Sequence, residues 1–243
     1  MEVQKSRKDN IIDTILEKST VKQEVYGLTC AAFQELKEVV KDLHAEMSAN
    51  LKSCKQNLKI QFEDISIFEF RLRVAGDLLI FYQHSNVFTF DNSHQLYQTS
   101  YIKDDQTRKY FGNIGVFNFL GDSFEYNRLN DVGYMIGRIF LNRENHYFVE
   151  GKRQMGYLFN DLARKEFSRE EKMRLVEEIL LYTLNFDLLT PPFDTINEVS
   201  VEEFHAVSST RRLRTGKRLG FKFQSDRKKI KKKLKKRQKM FGG

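Results

Sequence analysis

The sequence contains little cysteine, proline or tryptophan. Its 243 residues include two cysteines, Cys30 and Cys54, two prolines and no tryptophan. Neither cysteine has a Cys or His neighbour at the spacing that zinc sites use, so we expect two reduced thiols and neither a disulfide nor a bound metal. Reduced thiols are typical of a cytoplasmic protein.

Long apolar runs are also absent. The longest are residues 78–82 and 134–136, whereas a transmembrane helix needs about 20 apolar residues. The first ten residues lack the apolar core of a secretory signal peptide. The sequence therefore predicts no membrane span and a cytoplasmic location.

The common signatures of catalysis do not occur. The sequence has no HExxH, GxSxG or P-loop pattern, and no two histidines lie four residues apart, the spacing of a helical metal pair. The five histidines are His44, His84, His94, His146 and His205. This absence predicts no cofactor and favours a binding protein over an enzyme.

Positive charge is concentrated in one part of the chain. The formal net charge is +8, yet residues 208–243 hold 16 of the 41 Lys and Arg and only one of the 33 Asp and Glu, Asp226. This segment, the basic tail, carries a net charge of +15, and residues 1–207 carry −7. The tail has too few apolar residues for a core and its like charges repel, so we expect it to be disordered or partly helical.

The basic tail predicts an anionic partner. In its first half, basic residues are interleaved with Leu213, Leu219, Phe221 and Phe223, a mixture that suits stacking on unpaired bases beside phosphate contacts. We interpret the chain as a nucleic-acid-binding protein that prefers RNA to DNA. The residues predicted to bind are Arg211, Arg212, Arg214, Lys217, Arg218, Arg227, Lys228, Lys229, Lys231, Lys232, Lys233, Lys235, Lys236, Arg237 and Lys239. The alternative is an adaptor whose tail binds an acidic protein, the chain's own acidic body or a membrane surface.

Residues 1–57 are predicted to be helical. Apolar residues recur every three or four positions from Ile11 to Leu51, as on one face of an amphipathic helix. Thr20 and Gln23 match a capping box, which predicts a short first helix and a long second one from about residue 20 to 55. The later apolar positions resemble a coiled-coil seam; they are Leu36, Val40, Leu43, Met47 and Leu51. This stripe predicts either a homodimer through the helix or packing against the chain's own sheet.

Residues 58–207 are predicted to form an α+β body. From residue 58 apolar residues alternate with polar ones, as at Leu58, Ile60 and Phe62, a period typical of strands with one buried face. Hairpin turns separate the runs, so we expect an antiparallel sheet of about seven or eight short strands. The runs lie at residues 58–63, 68–74, 78–82, 87–90, 114–120, 124–126, 132–141 and 146–149, with residues 97–102 as a further edge candidate. Helices follow, capped by Ser168 with Glu171 and by Ser200 with Glu203.

One group of residues in this body suggests nuclease chemistry. Glu150 and Lys152 stand two apart at the end of an apolar strand, and Asp131 begins the preceding strand. The arrangement resembles the PD-(D/E)xK nucleases, with Asn130 where that family has proline. The resemblance implies that Asp131 and Glu150 bind Mg²⁺ and that Lys152 positions the attacking water. A Mg²⁺-dependent nuclease is therefore the second hypothesis, and a strand that simply ends at a solvated glutamate is its alternative.

Further basic residues lie on the turns and strand ends of the same region. They are Arg128, Arg138, Arg143, Lys152 and Arg153. Neighbouring hairpin ends can meet in space, so this group would extend the anion-binding surface of the tail. Pairing of each arginine with a nearby carboxylate is the other interpretation.

Overall fold

A computed structural model describes residues 6–52, 58–151, 154–187 and 201. These residues form an α+β fold with one six-stranded antiparallel sheet and a long N-terminal helix. They divide into two compact units, the first holding the residues up to Gly121 together with Met135–Asn185, and the second holding Asp122–Tyr134 and the described residues beyond Asn185. The predicted fold class is confirmed, and the predicted count of seven or eight strands is wrong.

The N-terminal helix is continuous apart from one irregular turn. It comprises α1, Arg7–Thr14, a π-helical turn, Ile15–Ser19, and α2, Thr20–Leu51. Ser6 begins it with a capping box, because its hydroxyl accepts the N–H of Asp9 while the Asp9 carboxylate accepts the N–H of Ser6. No side chain caps the start of α2. The predicted capping box at Thr20 is therefore wrong, whereas the long second helix is confirmed.

The six strands lie in the sheet in chain order. They are β1 Ile60–Ser66, β2 Glu69–Val74, β3 Asp77–Gln83, β4 Gly112–Leu120, β5 Tyr134–Leu141 and β6 Tyr147–Gly151. Phe62 pairs with Leu72, and Leu72 pairs with Leu79. Cross-strand partners share one face of a sheet, so the alternating apolar residues form one continuous apolar face.

Helix α2 packs on that face. The ring centroid of Phe33 lies 5.2 Å from that of Phe70, which stacks in turn on Phe81 at 4.6 Å. Leu36 and Val40 are fully buried. At these two positions the predicted apolar stripe therefore packs within its own chain, and the homodimer through this stripe stays a prediction.

The connection between β3 and β4 contains helical turns instead of strands. These turns are Gln95–Gln98, α3 Ser100–Asp104 and Gln106–Lys109. A cluster of Ile102, Phe111, Phe140 and Phe148 holds the connection against β5 and β6, so tertiary packing outweighs the local strand preference. Strands predicted at residues 87–90 and 97–102 are therefore wrong; Phe88 makes only an isolated bridge to Phe111.

Three further helices lie in the described part of the chain. They are α4 Gly121–Glu125, α5 Met155–Leu158 and α6 Arg169–Leu184. The strand predicted at residues 124–126 is thus wrong. Ser168 caps α6 by accepting the N–H of Glu171 at 3.3 Å, which confirms one half of the predicted capping box. The Glu171 carboxylate accepts from Tyr147 instead of from the N–H of Ser168. Of the helix predicted after Ser200, only Val201 lies within the described residues. None of the described helices is long and apolar enough to cross a membrane.

Candidate functional site

Much of the predicted site lies outside the described residues. The predicted phosphate-binding residues, from Arg211 to Lys239, all fall beyond residue 201, and Lys152 falls between two described segments. Asp131 and Glu150 are described. The structure therefore shows the surroundings of these two carboxylates and of the described cations in the body.

Asp131 is held by its own unit. Its side chain is 9% exposed, and its Oδ2 accepts a 2.7 Å hydrogen bond from the hydroxyl of Ser123. An Arg128 guanidinium nitrogen lies 3.9 Å from the same oxygen. The guanidinium also lies over the ring of Tyr126, 5.4 Å from its centroid. These contacts fix the carboxylate within the turn that follows α4.

Glu150 is paired across the sheet. It stands opposite Arg138 in the register of β5 and β6, and the two side chains form a hydrogen-bonded ion pair. Both side chains remain partly exposed, at 35% and 43%. Glu150 is thus already engaged with a cation, although water also reaches it.

The nuclease hypothesis finds no metal-binding cluster in the described residues. Asp131 belongs to the second unit and Glu150 to the first. No group of three or more His, Cys, Asp or Glu that could hold a metal ion occurs among the residues the structure describes. Magnesium binding and the role of Lys152 therefore stay predictions.

Two other acidic-x-Lys sequences show what this tripeptide does in the fold. Lys37 follows Glu35 by two residues, but its ammonium donates to Asp64 Oδ1 at 2.7 Å and to the carbonyl of Ser66 at 3.0 Å. Lys172 follows Glu170, but its ammonium donates to Glu35 Oε2 at 2.8 Å. In both, the lysine pairs with a carboxylate on another element. In these two cases the buried lysine of the tripeptide therefore has a structural role.

The basic group predicted near residues 128–153 consists, where it is described, of paired arginines. Arg128 lies near Asp131, Arg138 pairs with Glu150, and Arg143 lies 3.0 Å from Glu24 on α2. A paired guanidinium presents little net charge to a polyanion. Pairing with carboxylates, the second of the two interpretations, holds for these three residues, and Lys152 and Arg153 lie outside the described residues.

Ion pairing extends through the rest of the first unit. Further pairs are Arg71 with Glu69, Arg108 with Glu144, Lys165 with Glu171 and Arg169 with Asp42. These pairs connect strands, turns and helices. The cations of the described body are therefore largely balanced by its own carboxylates, whereas the basic tail contains a single acidic residue.

Sequence reasoning missed one polar network, between the β3–β4 connection and the β5–β6 turn. The Tyr101 hydroxyl donates to Glu144 Oε2 at 2.7 Å and accepts from Asn142 Nδ2 at 2.7 Å. Arg108 Nε donates to the other Glu144 oxygen at 2.9 Å. These partners lie far apart in sequence, so no local pattern indicated the network.

The same network fixes the protonation of its members. Burial raises the pKa of Tyr101, and the hydrogen bond to Glu144 raises it further. The Tyr101 hydroxyl therefore stays protonated and donates to that carboxylate. Burial alone would raise the pKa of Glu144, but hydrogen bonds from Tyr101 and Arg108 hold that pKa below its ordinary value. Because donors and acceptors are matched, we assign the network a structural role in holding the connection.

The geometry thus leaves the unbalanced charge of the basic tail as the main indication of function. Many of the described carboxylates and cations of the body are engaged with one another. No family model, curated protein or solved structure matches this chain.

Proposed function

We propose that this protein binds nucleic acid, RNA in preference to DNA, through the basic tail at residues 208–243. The observation that carries the proposal is the division of charge, +15 in the tail against −7 in the rest of the chain. Nucleic acids carry a phosphate charge at every nucleotide. Each Lys or Arg that neutralises a phosphate therefore adds a favourable contact and releases counterions. Such a segment binds polyanions more strongly than it binds isolated carboxylates.

The preference for RNA rests on the first half of the tail. Leu213, Leu219, Phe221 and Phe223 alternate with basic residues there. Aromatic rings stack on bases only where the bases are unpaired, and unpaired bases are commonest in RNA loops and single strands. A tail of this composition therefore suits single-stranded RNA better than a DNA duplex.

The described body supports a division of labour. Many of its arginines and lysines pair with its own carboxylates, as Arg138 does with Glu150 and Arg143 with Glu24. A body of net negative charge repels a polyanion at long range. Affinity for phosphate therefore falls to the tail, and discrimination among sequences falls to whatever the body contacts once the nucleic acid is held.

The test is equilibrium binding of the full chain to fluorescent single-stranded RNA, duplex RNA and duplex DNA, between about 50 and 200 mM salt. We expect a steep salt dependence, with each neutralised phosphate adding roughly 0.7 to the logarithmic slope on a single strand. A full-length variant with the ten Lys and Arg of residues 227–239 changed to Gln should lose most of that slope. Arg138→Gln, which removes a paired body cation, is the matched control and should leave the slope unchanged.

Three results would contradict the proposal. One is binding no tighter than that of a lysine peptide of equal charge, and another is an equal loss of slope in Arg138→Gln. The third is binding to acidic protein or anionic vesicles but to no nucleic acid, which would favour the adaptor. Cleavage of RNA or DNA that requires Mg²⁺ and disappears in Glu150→Ala would instead favour the nuclease.

A further inference from the structure

The start of the N-terminal helix exposes four aliphatic side chains, two in α1 and two in the π-helical turn that follows it. Ile11, Ile12, Ile15 and Leu16 are 53–61% exposed, and α1 buries none of its residues. Successive residues of a helix lie 100° apart, so this set covers an arc of about 140° on one side. We call it the α1 stripe. A contiguous apolar strip of this kind on a surface helix is typical of an interaction site.

The α1 stripe faces away from the chain's own core. Val21 and Val25, just beyond that turn, are buried against Tyr110. A π-type turn contains an extra residue, which rotates the helix beyond it by about 100° relative to a regular α-helix. At 100° per residue, the midpoint of Val21 and Val25 lies about 130° from the midpoint of the α1 stripe, with or without that extra residue. The side chains of the stripe are exposed, so the stripe faces away from the buried side of α2.

Charges of opposite sign border the α1 stripe. Asp9 and Asp13 precede Ile12 and Leu16 by three residues, so they line the edge beside those two side chains. Arg7 precedes Ile11 by four residues and Lys18 follows Ile15 by three, so these cations line the other edge. The hydrogen bonds from the hydroxyl and N–H of Ser6 lower the pKa of Asp9 and keep it ionised. The stripe thus has an acidic edge and a basic edge.

We infer that the α1 stripe binds the α1 stripe of a second copy of this chain, with the two helices parallel. In a parallel pair the twofold axis runs along the helices, so the acidic edge of one copy faces the basic edge of the other. In an antiparallel pair, like edges would face each other. The charge pattern therefore selects both the partner and its orientation.

The contact is small. Lys8 lies at the amino-terminal end of the same side, which confines the apolar contact to the two turns that follow. Four aliphatic side chains from each copy form an interface at the low end of the observed range, so we expect a weak and reversible dimer. This dimer uses residues outside the Leu36–Leu51 stripe and does not depend on the proposed function.

The test is sedimentation of the full chain over a range of concentrations. The wild type should shift from one chain mass toward two as concentration rises. Leu16→Glu should raise the dissociation constant at least about tenfold, because it places a charge in the centre of the contact. Leu181→Glu, on α6, is the matched control because Leu181 is 56% exposed, and it should dimerise like the wild type.

Charge exchange tests the orientation. Asp13→Lys and Lys18→Glu should each weaken the homodimer, and a mixture of the two variants should restore association. If Asp13→Lys alone strengthens the homodimer, the parallel arrangement is wrong, because only an antiparallel pair brings two acidic edges together. A wild type that stays monomeric at every concentration, or a Leu16→Glu variant that dimerises normally, would overturn the inference.

Discussion

Lys172 and Glu35 form an ion pair whose two ends have different access to water. The Lys172 side chain is 1% exposed and donates to Glu35 Oε2 at 2.8 Å, whereas Glu35 is 45% exposed. Glu35→Ala leaves a buried ammonium without its counter-charge, so we expect a loss of about 2 to 3 kcal/mol of unfolding free energy. Lys172→Met leaves a carboxylate that water reaches, but it also removes the ammonium that donates to the buried carbonyl of Phe167. Its loss should therefore be smaller than that of Glu35→Ala, about 1 kcal/mol. Urea unfolding measures both, and equal losses would contradict this account.

Tyr147 makes stability depend on acid pH. Its side chain is buried, and its hydroxyl donates to the Glu171 carboxylate. Burial alone would raise the pKa of Glu171, but the bond from Tyr147 and the charge of Lys165 lower it. A lowered folded pKa stabilises the protein above the unfolded value, near pH 4.3, and the gain is lost as pH falls through the folded value. Tyr147→Phe should therefore cost about 1 to 2 kcal/mol at neutral pH and progressively less below about pH 4.

The measurement for Tyr147 is urea unfolding of wild type and variant from neutral pH to about pH 3. Tyr157 offers the matched control because it is 85% exposed, and Tyr157→Phe should change stability at no pH. A Tyr147→Phe loss that is the same at all pH values would show that the hydroxyl acts through packing alone.

At the scale of elements, the contact between α2 and β4 depends on one glycine. A Cβ added at Gly112 would lie 2.7 Å from both Cβ and Cγ2 of Thr29 and closer still to its hydroxyl. Gly112→Ala must separate the helix from the strand, and we expect a loss of about 3 kcal/mol. Gly27 lies in the same helix with open space around it, so Gly27→Ala should stabilise by about 0.5 to 1 kcal/mol. Thermal unfolding of both variants measures this difference in sign.

A loss of stability in Gly112→Ala together with a gain in Gly27→Ala would show that the close approach of helix and sheet, and not glycine content, limits stability. If Gly112→Ala unfolds at the wild-type temperature, α2 and β4 do not meet as closely as the structure shows. Gly76→Ala provides a second control outside the helix, because a Cβ added there also meets no atom within 4 Å.

The sequence predicted the elements whose pattern follows from one buried face. Strands β1 to β4 were predicted within a few residues, because every second side chain faces α2. The pattern failed at residues 87–102, where Phe90 packs its ring on Phe111 and Phe140. Aromatic residues favour strands locally, yet here their tertiary contacts hold helical turns. The capping box at Ser6 was not predicted, because Asp9 stands where such a box usually has Glu or Gln.

The candidate site was predictable only in part, for a similar reason. Charge counts along the chain are enough to identify the basic tail. They do not show which body cations are neutralised, because Arg143 pairs with Glu24 on a distant helix. The paired arginines therefore had the same appearance in sequence as an anion-binding group. Pairing depends on the fold, whereas a run of like charge does not.

At the scale of the whole molecule, the two proposals together make a prediction that neither makes alone. Two copies joined through the α1 stripe present two basic tails to one nucleic acid, and the second contact benefits from a high effective concentration. Long RNA spans both tails, whereas an oligonucleotide that fills one tail does not. Leu16→Glu should therefore weaken binding to long RNA by at least about tenfold and leave binding to the short oligonucleotide unchanged.

Binding titrations at one salt concentration, with Leu181→Glu as the control, separate the two contributions. Leu181→Glu should bind both RNAs like the wild type. If Leu16→Glu weakens long and short RNA equally, the helix contacts RNA itself and avidity is not its role. If it weakens neither while abolishing the dimer, each tail acts alone, because the two tails do not reach one strand together. Only a loss confined to long RNA links association of the α1 stripe to phosphate binding by the tail.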